Sequence, residues 1–570
     1  MVIVKKIGDF ILNAEKYSDK KYKLILLVVS ILSFFTRLSV EDVGLMESRN
    51  FIAAREMVVN GNWLIPTLNG VYRFEKPPFP TWMTALMMKI TGDIETTWIL
   101  RLPAAILSVW IIFLMYRIVK RISNNNFLAF ISAGITATNF MIMKEGVVNT
   151  WDIFSYGLMF ASIVYLYEYL EDKNIYKCCI ASFLLGTSIM SKGPVAPYGM
   201  LLPFLVMYFF MKGKNNFLEK GKSIIIYIII GIIFAALWPV YMIVLYKSIF
   251  FSVMGKEQDT WDTKAVEGFF YYFDYFVYTG GWILFNAMGM LFLWKKKWLS
   301  QKNKKLLELG FIWSLLSLLL ISFIKMKKQR YGIPLYIITN IPCGVIVCHY
   351  YKKPQEMFKK YEKWIFILQG GLIGISFAAM VVLFAIKGVH IKESVGKNGV
   401  FVVEILLYLA VLVSYLITLK KYKEHRNKVI IVFTGIAMLI VNGTGVWFIE
   451  KELMYRHKRV ELEDLHTISH IEPDLKMYSF NFKIEDVWRV GRKIIRIGED
   501  KTTNNATPAL IETPNELPEN FLLFTEEDEN SDILKEKTDI NGYTVINQWK
   551  FYRNFRNNKI VKVYEIQLKK

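Results

Sequence analysis

This sequence predicts a polytopic, all-α membrane protein with a small α/β domain at its C-terminal end, and three observations predict it. Apolar residues make up 54% of 570 residues and the mean hydropathy is +0.31, which excludes the ordinary soluble globular class. Apolar runs of about 18 residues or more, long enough to span a bilayer, recur roughly thirteen times. After residue 450 they stop, and short alternating stretches such as 476–484 and 543–548 take over, the periodicity of half-buried strands.

The expected spans lie near 22–38, 98–117, 126–143, 150–170, 176–190, 194–211, 223–246, 276–294, 307–324, 331–350, 363–387, 399–419 and 429–449. The first is a span and not a cleaved signal: Lys20, Lys21 and Lys23 precede it, but no small-residue cleavage site follows. Basic loops set the orientation. Lys5, Lys6, Lys20, Lys21 and Lys23, then Arg117, Lys120 and Arg121, then Lys212, Lys214, Lys220 and Lys222, and the clusters at 295–305, 352–360 and 420–428 all fall on one side of a thirteen-span chain. That side must be cytoplasmic, which puts the N-terminus inside and the tail outside a plasma or inner membrane. The net charge of +21 comes largely from these loops, so no nucleic-acid partner is needed to explain it.

Three parts follow: a membrane body over 1–450, its long outer loops at 39–97 and 247–275, and an extracytoplasmic α/β domain over 451–570. Turn signals at Asn504-Asn505, Asn541-Gly542 and 512–518 separate the strands of that domain. Asn505-Ala506-Thr507 fits a glycosylation sequon, a weak three-residue pattern. The four cysteines, Cys178, Cys179, Cys343 and Cys348, belong to apolar segments, so the outer domain must hold together without disulfides. The six histidines (His349, His390, His425, His457, His466 and His470) avoid the outer loops, which argues against a histidine general base there.

The most informative stretch is 47–82, directly behind the first span. It places basic and acidic side chains and Pro66, Pro77, Pro78 and Pro80 between two membrane-length runs. From Arg49 to Val59, charges at Arg49, Arg55 and Glu56 interrupt Phe51, Ile52, Met57 and Val58, a pattern that predicts an interfacial amphipathic helix. Gly61 ends it in a left-handed conformation, and Leu68-Asn69-Gly70-Val71 reads as a tight turn.

Basic residues on the outer side break the charge rule: Arg73, Lys76, Lys144, Lys192, and Lys325, Lys327, Lys328 and Arg330 just before Tyr331. A ring of cations at headgroup level suits an anionic lipid head such as a phosphate. Each has a plainer reading as a snorkelling side chain, but snorkelling requires neither the Glu75-Lys76-Pro77-Pro78 core nor a compact Ser-Lys-Gly-Pro turn at 191–194. Asp152 stands at the outer end of its span, where a carboxylate is costly unless paired; its plainer role is a helix N-cap, as is that of Thr150. Glu75 beside Lys76 reads alternatively as a surface ion pair, and Lys192 as a partner for carbonyls at a helix end.

These residues carry a resemblance. Glu47-Ser48-Arg49, Ala54-Arg55-Glu56-Met57, Gly61-Asn62-Trp63, Pro66-Thr67-Leu68-Asn69-Gly70, Phe74-Glu75-Lys76-Pro77-Pro78 and Trp82 resemble the first outer loop of one glycosyltransferase family. It comprises the bacterial aminoarabinose lipid A transferases and the related dolichyl-phosphate-mannose protein mannosyltransferases. The likeness continues at Arg101-Leu102-Pro103, Asp152, 191–194 and 327–334, covers residues 30–345, then fades. It implies a GT-C fold and transfer of a sugar from a polyprenyl-phosphate carrier to a lipid, glycan or protein hydroxyl. Family members place an Asp-Glu pair at the start of the first loop, the Asp being the catalytic carboxylate; here that position is Met46, followed by Glu47. Glu47, Asp42 or Asp152 is then left to take the role, with Glu47 favoured because it sits in the matching motif.

The chemistry agrees with the residue types. An acceptor hydroxyl attacks the anomeric carbon while a lipid phosphate departs. This needs a carboxylate to orient or deprotonate the nucleophile and fixed cations where phosphate charge develops. Arg49, Arg55, Arg73, Lys76, Lys192, Lys325, Lys327 and Arg330, with Glu75 and Tyr331, are the candidates for binding donor and phosphate. A divalent metal could bridge Glu75, but a hard cation needs several oxygen ligands and the sequence offers one, so the metal is unassigned. No glycine-rich nucleotide loop occurs, in agreement with a lipid-linked donor. Two other readings stay open: a polyprenyl-lipid transporter or flippase, whose charges belong near the midplane of repeated halves, and a family member that lost catalysis with Met46.

Overall fold

The computed structural model describes residues 2–39, 42–291, 299–390, 398–445, 463–498, 508–526, 528–538, 540–554 and 559–569. The sequon at Asn505, the Asn504-Asn505 turn, His457 and Lys295, Lys296 and Lys297 lie outside these residues. The chain packs as two compact units. One is Met1–Leu38 with Ala104–Val446, the other Ser39–Pro103 with Trp447–Lys570. Residues 39–103, which the sequence groups with the membrane body, are therefore clustered with the tail.

In the first unit the expected spans are helical, but not all are long enough to cross a bilayer. Among the described residues seven helices are long and apolar enough, or eight if the pair Gln329–Ile338 and Asn340–Lys352, bent by 44°, is one span. The expected span at 126–143 is broken at Thr138-Asn139 into Asn126–Ala137 and Phe140–Glu145, because the Asn139 side chain caps a new helix by accepting from the Ile142 N–H. The first expected span is the 16-residue helix Asp19–Phe34. That at 194–211 opens with the π-helical turn Pro197–Leu201.

The helix Trp151–Asp172 is the centre of this unit, with nearly every residue buried. Lys173 in the left-handed conformation (φ 55°) and Asn174, which caps Tyr176, reverse the chain into Ile175–Lys192. Hydroxyls fix the register of this hairpin. Ser188 donates to the Ser155 carbonyl at 2.7 Å and Ser155 to the Ser188 carbonyl at 3.2 Å, so residues one helical turn away on each strand of the hairpin are brought level. Behind it, Gly186 and Gly231 let the long helix Gly221–Thr263 approach closely. A Cβ at Gly186 would lie 3.1 Å from the Gly231 carbonyl oxygen, the small-residue contact common between membrane helices.

The second unit is built on a mixed sheet. Its strands are β3 (Glu463–Asp464), β4 (Met477–Ser479), β5 (Ile494–Ile497), β6 (Ile511–Glu512), β7 (Asn520–Glu526), β8 (Tyr543–Asn554) and β9 (Lys559–Leu568), after the hairpin strands β1 (Thr67–Leu68) and β2 (Val71–Tyr72). The order is β3-β8-β9-β7-β4-β5-β6. β7, β8 and β9 run antiparallel, and the remaining pairs are parallel. The turn at Asn69-Gly70 has φ of 54° and 80°, the two successive left-handed residues of a tight hairpin turn. Asn69 then pairs with β5 as a strand would: its Nδ2 donates to the Ile494 carbonyl at 2.9 Å, and its Oδ1 accepts the Ile494 N–H at 3.0 Å.

The helix of the first loop runs Leu45–Asn60 and ends where expected, at Gly61 with φ 70°. It is not interfacial. Phe51, Ile52, Ala54 and Met57 are buried in one core with Val487, Trp488, Ile494 and Leu522, and Arg55 and Glu56 are buried with them. An amphipathic pattern cannot distinguish a lipid surface from a protein surface as the partner of the apolar face.

Candidate active site

In the membrane unit three charged side chains meet at the end of the Trp151–Asp172 hairpin. The serine register places Lys192, the last residue of its helix, level with Asp152, and its ammonium pairs with Asp152 Oδ1. Gly193, with φ 80°, and Pro194 stop the helix there. From the other side Arg330, in the short 3-10 turn Gln329–Gly332, brings its Nε to 3.0 Å from Asp152 Oδ2. Asp152 and Lys192 are buried, whereas the Arg330 side chain keeps 21% of its surface exposed. The Lys192 ammonium also lies 3.5 Å from the centre of the Tyr331 ring, a cation–π contact. Asp152 is thus not the N-cap; Thr150 holds that position, without a side-chain hydrogen bond to the helix.

Two loops hold this group in place. Val266 and Met326 form a β-bridge, and the Lys327 N–H donates to the Ala265 carbonyl at 2.9 Å. Lys327 is turned inward, its ammonium donating to the Glu267 carbonyl at 2.9 Å, and burial draws its pKa down. Lys325 points outward into an exposed pair with Asp262 at 2.8 Å. Trp261 stacks on Tyr331 at 6.2 Å and 10°. Tyr272 pins the loop by donating its hydroxyl to the Lys328 carbonyl and accepting the Lys328 N–H. Tyr156, one turn along from Asp152, is buried, and its hydroxyl has no hydrogen-bond partner among the described residues. The sequence reading missed Tyr156, Trp261, Glu267 and Tyr272. The dense aromatic run from Phe269 to Trp282 was the available signal for the last of them.

The other candidates lie in the second unit, described by itself. Glu47 accepts from Arg101 with both oxygens, from Nε at 2.8 Å and from Nη2 at 2.7 Å, and both side chains are almost fully buried. Held at both oxygens by Arg101 in a buried site, Glu47 has the geometry of an ion-pair partner rather than that of an accessible base. Arg55 is internal as well. Its Nη2 donates to the Val487 carbonyl at 3.1 Å, its guanidinium lies over Trp488, and burial pushes its pKa down to about 10. Asp42 pairs with Arg489 at 2.7 Å and stays partly exposed. Arg73 donates to the Arg49 carbonyl at 3.1 Å and lies 3.9 Å from Glu75. Glu56 accepts from the Gly70 N–H and the Thr67 hydroxyl, holding the hairpin. Arg49, Glu75 and Lys76 are half-buried.

One histidine does reach the first loop. His466 brings Nε2 to 3.2 Å from Glu95 and Nδ1 to 2.9 Å from the Arg489 carbonyl, a juxtaposition that sequence distance concealed. Around Glu75 the donor set for a metal is short, and among the described residues no three His, Cys, Asp or Glu side chains gather as a set of ligands.

The model of the dolichyl-phosphate-mannose-protein mannosyltransferases matches residues 75–243. The crystal structure of ArnT from Cupriavidus metallidurans bound to undecaprenyl phosphate superposes with a TM-score of 0.68 at 15% identity, covering 95% of this chain and 97% of that one. This is the GT-C fold. An uncharacterized protein of Aquifex aeolicus (strain VF5) is 26% identical over 60% of this chain and 65% of its own length. The undecaprenyl phosphate-alpha-4-amino-4-deoxy-L-arabinose arabinosyl transferase of Shewanella sediminis (strain HAW-EB3) is 24% identical over 54% of this chain and 57% of its own. The chain thus spans about three fifths of these two relatives. The resemblance read from the first-loop motifs is borne out, and the GT-C fold makes this a multi-pass membrane protein.

Proposed function

We propose that this protein is a glycosyltransferase that moves a sugar from a polyprenyl-phosphate carrier to a lipid A-like glycolipid, a cell-surface glycan or a protein hydroxyl at the outer face of the membrane. The observation that carries the reading is the Asp152, Lys192, Arg330 cluster. One carboxylate is shared between two cations, the Glu145 carboxylate also acts on Arg330, and Arg330 is partly exposed. A phosphate arriving there finds donors already oriented, so little reorganisation is needed as the leaving group gains charge. Asp152 positions Lys192 and Arg330 and, when a phosphate competes for them, releases an oxygen that orients the acceptor hydroxyl. Tyr331 supports Lys192, and Lys327 adds a second cation in the same loop. Lys76, Arg49, Arg73 and Glu75 remain donor-binding candidates of the first loop, whereas Glu47 leaves the catalytic candidates and Arg55 the phosphate-binding ones.

The fold of ArnT and the names of the aminoarabinose transferases support a polyprenyl-phosphate donor. The basic loops support a cytoplasmic N-terminus and an extracytoplasmic second unit. One experiment tests reaction and orientation together: sealed vesicles of each sidedness receive polyprenyl-phosphate-linked sugar externally, and release of polyprenyl phosphate is followed by mass spectrometry. Release is expected in right-side-out vesicles alone. No release in either orientation across a panel of sugars would remove the enzyme reading, and release in inverted vesicles would reverse the topology.

A further inference from the structure

The membrane unit contains an apolar cavity of about 350 Å³ among the helices Val2–Asn13, Asp19–Phe34, Asn126–Ala137 and Arg426–Ile440. Its few polar side chains are already satisfied. Thr138 donates to the Gly134 carbonyl and accepts from Trp282 Nε1, and Tyr351 donates to the Ile11 carbonyl. A site with no unmet polar group offers water no foothold, and leaving that volume empty forfeits contacts along every wall. Two glycines open the space. A Cβ at Gly134 would meet nothing within 4 Å, and one at Gly435 would meet Trp282 at 3.8 Å. Ile25 and Val29 on the rim are half-buried, while Leu24 and Val28 beside them are exposed on the same membrane helix, so the mouth faces lipid. Lys6 is the charged side chain among the lining residues; it is exposed at the rim, with Lys5 exposed next to it.

We propose that this cavity holds an acyl chain of an anionic phospholipid whose headgroup rests on Lys6. The walls select hydrocarbon, the mouth opens towards the bilayer that supplies it, and the rim charge favours an anionic head. The site is separate from the Asp152 cluster, and the inference does not rest on the proposed transfer reaction.

The full chain is placed in phosphatidylcholine nanodiscs doped with a phosphatidylglycerol that carries a diazirine on one acyl chain. It is irradiated, digested and mapped by mass spectrometry. Crosslinks are expected within 127–138 and 431–439. Gly134→Leu and Gly435→Leu, each filling the cavity from a different helix, should abolish them, and Lys6→Gln should remove the preference over a phosphatidylcholine probe of the same acyl chain. Should one glycine variant fail to fold, the other and the wild-type map still decide. Crosslinks spread over all lipid-facing helices and unchanged in the filled variants would overturn the proposal. Equal labelling by the phosphatidylcholine probe in the wild type would overturn its headgroup part, and displacement by polyprenyl phosphate would assign the cavity to the carrier lipid instead.

Discussion

Two buried ion clusters, one in each unit, look alike in sequence and differ in kind. In the second unit Glu47 and Arg101 close on each other in a two-toothed pair, and neither side chain is more than 2% exposed. In the membrane unit Asp152 divides its two oxygens between Lys192 and Arg330, and the Arg330 side chain is 21% exposed. The first pair balances its charge and hides it, which is how a fold carries an ion pair at little risk. The second shares one carboxylate between two cations and leaves one arm reachable, an arrangement that suits anion binding. Burial of a carboxylate beside a cation is therefore no guide to catalysis until stoichiometry and access are both known.

The comparison can be broken most directly at Glu47. Glu47→Gln leaves the Arg101 guanidinium buried without its counter-charge, and the expected loss is about 3–5 kcal/mol of stability, read as a lowered unfolding temperature of the purified protein. The fraction that folds should keep its rate of sugar release. A stable but inactive Glu47→Gln would return the residue to the catalytic set and dissolve the distinction.

Arg330→Ala is the converse experiment. Removing one preorganised cation from a site of developing charge costs about 10²–10³-fold in kcat. Thermal stability should change little, because Lys192 still neutralises Asp152. Activity near that of the wild type would mean that the exposed arm is incidental. The smallest effect belongs to Lys325→Ala. Its pair with Asp262 is exposed on both sides, and such pairs contribute about 0–1 kcal/mol, so both turnover and unfolding temperature should stay close to wild type. A loss of rate comparable to that of Arg330→Ala would enlarge the site to the whole basic loop.

Much of this molecule was legible in the chain because it depends on local pattern. The helical segments follow apolar runs, the hairpin turn follows Asn69-Gly70, the end of the first-loop helix follows Gly61, and the motifs of 47–82 announced the family resemblance. Lys192 and Arg330 were singled out because a basic residue at the wrong end of a span is conspicuous by itself, and Tyr331 because it falls in the matching stretch 327–334. What failed were expectations that needed a partner. The bounds of the expected spans came from hydropathy, which does not register the cap at Asn139 or the π turn at Pro197–Leu201. The helix Leu45–Asn60 was given to the membrane surface because its apolar stripe fits lipid and Val487-Trp488 equally well.

Sequence alone thus determined a helical membrane body, a strand-rich C-terminal part and a short catalogue of charges in unexpected places. Tertiary structure decided which of those charges meet. Glu47 found Arg101 across 54 residues, Asp152 found Lys192 across 40, and His466 found Glu95 in a loop far upstream. The reason is physical: hydropathy and turn propensity act within a few residues, whereas the fate of a buried charge depends on which opposite charge the packing brings within about 3–4 Å, where the dielectric is low and the interaction strong.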